Sequence, residues 1–142
     1  MSSYVWQSLG VTLIYFFVGL VVLFVGRKVL DWITPYKLDQ QISEEGNLAV
    51  GIIEGGFYVA LAIITHASIT GGVASESLWM EIWISVVYFV LSLIILAIGF
   101  LVFDLITPFS MKQEIVEGKN VAAGATESAF LIALGIIIHG AI

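Results

Sequence analysis

Glu54 and Glu127 are the residues of this chain best placed to do chemistry. They stand 73 positions apart, each seven residues past an asparagine (Asn47, Asn120) and within an otherwise apolar run. On a helix with 1.5 Å rise per residue that is about 10 Å beyond the asparagine. A carboxylate at such a depth in a bilayer costs a few kcal/mol, and groups of this kind face a bundle interior or a water-filled cavity. Asn47, Gly51, Glu54 and Leu61 fall on one narrow helical face, and Asn120, Gly124, Glu127 and Leu134 fall on its copy. Gly51-x-x-x-Gly55 and Gly124-x-x-x-Ser128 are small-residue spacings that let helices approach closely. The expectation is that the second and fourth helices meet there, with both glutamates in one low-dielectric site sharing a proton. Such a pair could pass protons or bind a cation, with Asn47, Asn120, Asp31 and Asp104 along the pathway. The competing reading makes each glutamate a hydrogen-bonded packing lock.

His66 and His139 lie twelve residues further on, about 18 Å along the helix and about 120° around it. They cannot share a site with the glutamates of their own helices. Facing each other near the outer surface, they would form a pH-sensitive pair; anchoring at the headgroups is the plainer alternative. Two histidines without nearby acids or cysteines fall short of a metal-ligand set, so neither metal nor cofactor is expected. Asp31 and Asp104 close the first and third helices, where the macrodipole disfavours an acid. Each precedes a Thr-Pro and could accept hydrogen bonds from the turn that follows, or draw cations toward the glutamates. No phosphate loop, HExxH, nucleophile elbow or Ser-His-acid order appears. No catalytic residue is nominated, and the chain reads as non-enzymatic.

The elements that must hold these groups are membrane spans. Sixty per cent of the 142 residues are hydrophobic and 11% are charged, with a mean hydropathy of +1.07. That is too little polar surface to clothe a water-soluble globule. There is no cysteine, and a net charge of −6 with five scattered basic residues argues against a nucleic-acid partner. Four apolar runs, 5–25, 48–69, 78–103 and 121–142, each reach the roughly 20 residues a spanning helix needs. The first lacks a basic leader and is read as a retained helix. Arg27, Lys28, Lys37, Lys112 and Lys119 all fall in the loops after the first and third spans. The positive-inside rule then puts those loops in the cytoplasm and both termini outside. Trp6, Trp79 and Trp83 would mark the outer interface, and Trp32 and Tyr36 the inner one. Gly71-Gly72 reads as an outer turn.

Asp31–Ile69 recurs as Asp104–Ile142 without a gap, with 18 identities in 39 positions. The chain is therefore two copies of one unit, residues 1–73 and 74–142, each with two spans and both in the same orientation. Thr34-Pro35 and Thr107-Pro108 look like the N-cap and first position of a helix. Pro35, Leu38 and Ile42 then repeat at i, i+3, i+7, as do Pro108, Met111 and Ile115. That suits a short amphipathic helix in the inner interface, ending near Gly46 and Gly118. Asn47 and Asn120 read as N-caps of the second and fourth spans. The fold class is an all-α integral membrane bundle of four helices, with an interfacial helix in each repeat.

The tandem pattern D-x-I-T-P, Gln-x-Ile-x-Glu, N-x-A-x-G-x-x-E resembles the YjfL-like bacterial inner-membrane family, catalogued as domain of unknown function 350. The resemblance covers nearly the whole chain. It implies four spans in the inner membrane and an association with envelope-stress and polyamine-related gene groups, and it assigns no catalytic residue. Two functions follow as expectations. One is a proton or cation pathway built on the glutamate pair and completed by homo-oligomerisation in the lipid bilayer. The other is a non-conducting scaffold that recruits a cytoplasmic protein through Gln40, Glu44, Gln113 and Glu117.

Overall fold

A computed structural model describes residues 2–71 and 77–142. The connection through 72–76, with Gly72 of the expected turn, lies outside the described residues. Four helices among the described residues are long and apolar enough to cross a membrane: α1 (Ser2–Ile33), α2 (Leu48–Thr70), α3 (Leu78–Ile106) and α4 (Val121–Ala141). No large force separates apolar side chains from lipid tails, so the helices associate through close packing and polar contacts. α2 takes the centre and touches all three others, and its longest shared face is with α4. Half of its spanning window is buried, against 11% of that of α1, whose aromatic and aliphatic side chains face outward.

α2 and α4 run parallel and level. Gly124 lies against Ala49, Gly56 against Ser128, Gly135 against Ala60, and His66 against His139. These partners differ by 75, 72, 75 and 73 positions, close to the repeat offset, so equivalent levels of the two copies lie side by side. A Cβ on Gly124 would come within 2.6 Å of the Ala49 carbonyl oxygen, and one on Gly135 within 3.0 Å of Ala60 Cα. The expected seam on α2 is corrected, however. A Cβ on Gly51 or Gly55 would meet nothing within 4 Å, whereas one on Gly56 would strike Ser128. Spacing alone does not tell which of two adjacent glycines faces the partner. Gly26 and Gly99 do the same work for the outer helices: a side chain there would collide with Leu61 and Leu134 respectively.

The Thr-Pro pairs end α1 and α3 and do not open the surface helices. Thr34 Oγ1 donates to Leu30 O at 3.0 Å and Thr107 Oγ1 to Phe103 O at 2.7 Å, taking up a last-turn carbonyl. Thr107 is extended (ψ 128°), the conformation a following proline favours. Helix resumes only at Leu38 and Met111 and passes into five-residue π-helical turns, Gln40–Glu44 and Gln113–Glu117. Leu38, Met111 and Ile115 are buried, but Pro35 and Pro108 are exposed. Trp6, Trp32, Trp79 and Trp83 are exposed to the surroundings, whereas Tyr36 is half-buried and packs against the core.

Each π turn is closed by a residue in the left-handed region, Gly46 (φ 60°) and Lys119 (φ 46°). Gly46→Ala should destabilise the protein by about 1 kcal/mol, and Lys119→Gly should stabilise it by a similar or smaller amount. The Lys119–Glu45 ion pair at 3.7 Å is nearly half exposed and offsets little of that gain. Paired denaturation curves in detergent check this; a shift of the same sign for both variants would refute it.

Candidate functional site

Asn47 and Asn120 stand at the mouths of the two central helices. Asn47 Oδ1 accepts from Ala49 and Val50 N–H, and Asn120 Oδ1 from Ala122 and Ala123 N–H, which satisfies donors a helix start leaves open. Asn47 Nδ2 donates to Gln41 Oε1 and to Ile115 O, both at 2.8 Å. Its amide is thus fully committed and ties the two copies together. Asn120 Nδ2 donates to Glu114 Oε2, the acid at the position equivalent to Gln41. Asp31 Oδ1 accepts from Leu38 N–H at 3.2 Å. In the second copy Ser110 Oγ accepts from Gln113 N–H, and Asp104 stays exposed.

Two turns deeper lie the glutamates, and the two copies treat them differently. Gly26 brings α1 against Leu61 of α2, so the next residue, Arg27, reaches Glu54. Arg27 Nε donates to Glu54 Oε1 at 2.7 Å, and Tyr58, one turn further along α2, donates its hydroxyl to the same oxygen at 3.0 Å. Arg27 Nη2 also donates to Asp39 Oδ1. One guanidinium therefore joins α1, the surface helix and α2 through a charge-assisted pair. That hydrogen bond holds the exposed Asp39 carboxyl below the ordinary carboxylate range. Its contribution to stability is present above the ordinary value and is lost as pH falls through the lowered one.

At the equivalent positions the second copy has Phe100 for Arg27, Leu131 for Tyr58 and Lys112 for Asp39. Phe100 and Leu131 are buried and can donate nothing. Glu127 is only 2% exposed, and its Oε2 has no hydrogen-bond partner among the described residues. Burial first, then the charges of Glu127 and Asp104, raise the pKa of the Tyr36 phenol well above its ordinary value. The first copy thus holds an ion-paired carboxylate, and the second one without such a partner. The two glutamates, expected to be alike, differ in their partners: Arg27 pairs with Glu54 and has no counterpart beside Glu127.

At the far end, His66 Nδ1 and His139 Nε2 are 3.4 Å apart, with rings stacked 13° from parallel. Among the described residues no three His, Asp or Glu side chains gather as a metal set. Arg27, Tyr58 and Gln41 are the participants that sequence reasoning missed. The available signal was Tyr58 at i+4 from Glu54, together with a comparison of what differs between the copies around an identical acid.

Duplicated two-span units, short interfacial helices and acids buried between central helices define a multi-pass helical membrane protein. The chain belongs to the family described as Domain of Unknown Function (DUF350), whose model matches it twice, over residues 4–86 and 77–142. It is 26% identical over 131 residues to a UPF0719 transmembrane protein of Mycolicibacterium paratuberculosis, covering 92% of this chain and 85% of that one. It is 30% identical over 129 residues to the UPF0719 transmembrane protein YshE of Bacillus subtilis, covering 90% of each. A UPF0719 transmembrane protein of Aquifex aeolicus is 31% identical over 104 residues, which cover 72% of this chain and 35% of that longer one. No solved structure matches the chain.

Proposed function

We propose that the protein is a non-enzymatic proton or cation conductor, or a binding site for one, with Glu127 as the group that takes up the ion. It works in the inner membrane of a bacterium, with both termini outside, residues 1–73 and 74–142 as its units, and homo-oligomers as its working form. The observation that carries this is the buried, unpartnered Oε2 of Glu127. A carboxylate in that position must be matched by a proton or a cation, or else bear a desolvation cost of several kcal/mol. Glu54, held by Arg27 and Tyr58, is the fixed strut of the pair. The test is proton and monovalent-cation flux into proteoliposomes. Wild type should conduct, Glu127→Gln should fall to the level of protein-free vesicles, and folded Glu54→Asp should retain flux. Absence of wild-type flux across pH and voltage would sink the reading.

That outcome would favour a scaffold. Gln40, Glu44, Gln113 and Glu117 are all exposed on the two π turns, which lie at one end of the bundle, where Lys119 Nζ donates to Glu45 O. They offer a polar face to a cytoplasmic protein.

A further inference from the structure

The differences between the copies gather in a second place, on the outside of α1. An open groove of about 540 Å³ runs along its last turns, with Phe24, Val25, Val29 and Trp32 as its wall and Lys28 and Lys37 at its rim. Both lysines are exposed, and neither ammonium makes a hydrogen bond or ion pair among the described residues. The acid that also lines the groove, Asp31, already accepts Leu38 N–H through Oδ1. At the equivalent positions the second copy has Leu101 for Lys28, Ser110 for Lys37 and Leu105 for Trp32. The first copy therefore carries two cations where the second has a leucine and a serine, while the acid, Asp31 or Asp104, is common to both.

We propose that this groove binds an anionic phospholipid, with its phosphate between Lys28 and Lys37 and an acyl chain along Phe24, Val25 and Val29. Lys28 lies five residues before the end of α1, about 8 Å along the axis. From there a lysine extends its ammonium to the headgroups while its stem stays in hydrocarbon. Trp32 is 87% exposed beside it, an indole at the depth where indoles settle. An apolar wall, with two cations outnumbering the single acid Asp31, matches a lipid that carries one negative group above an apolar tail. This inference is independent of the reading of Glu127.

Trp32 itself reports the test. In a Trp6→Phe/Trp79→Phe/Trp83→Phe background the full chain is reconstituted with brominated phosphatidylglycerol or brominated phosphatidylcholine, and quenching of Trp32 is compared. The anionic lipid should be preferred roughly three- to tenfold, less at high salt. Lys28→Gln/Lys37→Gln should abolish the preference, and Lys28→Arg/Lys37→Arg should keep it. Equal quenching by the two lipids, or a preference that survives the glutamine variant, would overturn the proposal. So would relief of quenching by inorganic phosphate, which would make this a site for soluble anions.

Discussion

Glu54→Leu should cost roughly 2–4 kcal/mol of stability, whereas Glu127→Leu should be close to neutral or stabilising. The positions are equivalent in the two copies and the glutamates are both buried, so burial alone predicts equal effects. The difference lies in what each removal leaves behind. Without Glu54, the Arg27 guanidinium keeps Asp39 but meets only the neutral Tyr58 hydroxyl on α2, with about a quarter of its side chain exposed. The cost falls at or below the usual range for breaking a buried pair, because a long arginine can turn its head toward the interface. Without Glu127 no partner is stranded, since Oε2 has none, and an apolar side chain fills the space. Arg27→Met should destabilise as Glu54→Leu does, and the double variant should recover much of the loss. Reversible unfolding in mixed micelles measures all four. Equal costs for Glu54→Leu and Glu127→Leu would show that the asymmetry has no energetic weight.

The second large effect is also a contrast between equivalent positions. Gly124→Ala should destabilise by about 2–3 kcal/mol or more, because the new Cβ would lie 2.6 Å from a backbone carbonyl and 2.9 Å from the Cα of Ala49. Backbone in a packed helix cannot move aside as a side-chain tip can. Gly51→Ala, at the matching place on α2, meets open space and should stabilise by roughly 0.5–1 kcal/mol through helix propensity. A cross-linking yield between cysteines placed at residues 66 and 139 would follow the same order if α2 and α4 separate in the first variant. A tolerated Gly124→Ala with unchanged yield would contradict the interface as described.

Much of this architecture is legible in the residues. Hydropathy marks the spans because a bilayer demands long apolar helices. The unbroken offset marks the parallel repeat, and Asn47 and Asn120 mark helix starts through a local bond that needs no knowledge of the fold. The partner of Glu54 was hidden. Arg27 reads as a topology marker beyond a span, and only the close approach at Gly26 makes it a ligand of α2. Thr34 and Thr107 were ambiguous, since a threonine hydroxyl can serve the helix after it or the carbonyls before it. The spacing favours Gly55 over Gly56, but a one-residue rotation of a helix changes the face by about 100°, and packing makes that choice. The orphaned state of Glu127 depends on what is absent around it, which only the assembled bundle reveals.

His66 meets His139, the same position of each copy. A two-span chain alone could make that contact only by pairing with an identical molecule, and any substitution would then appear on both sides of the axis at once. Joining the copies in one polypeptide removes that coupling. Position 27 can be arginine while position 100 is phenylalanine, and position 28 can be lysine while 101 is leucine. Duplication supplies the shape, and covalent linkage lets one half become a strut while its twin keeps a bare acid.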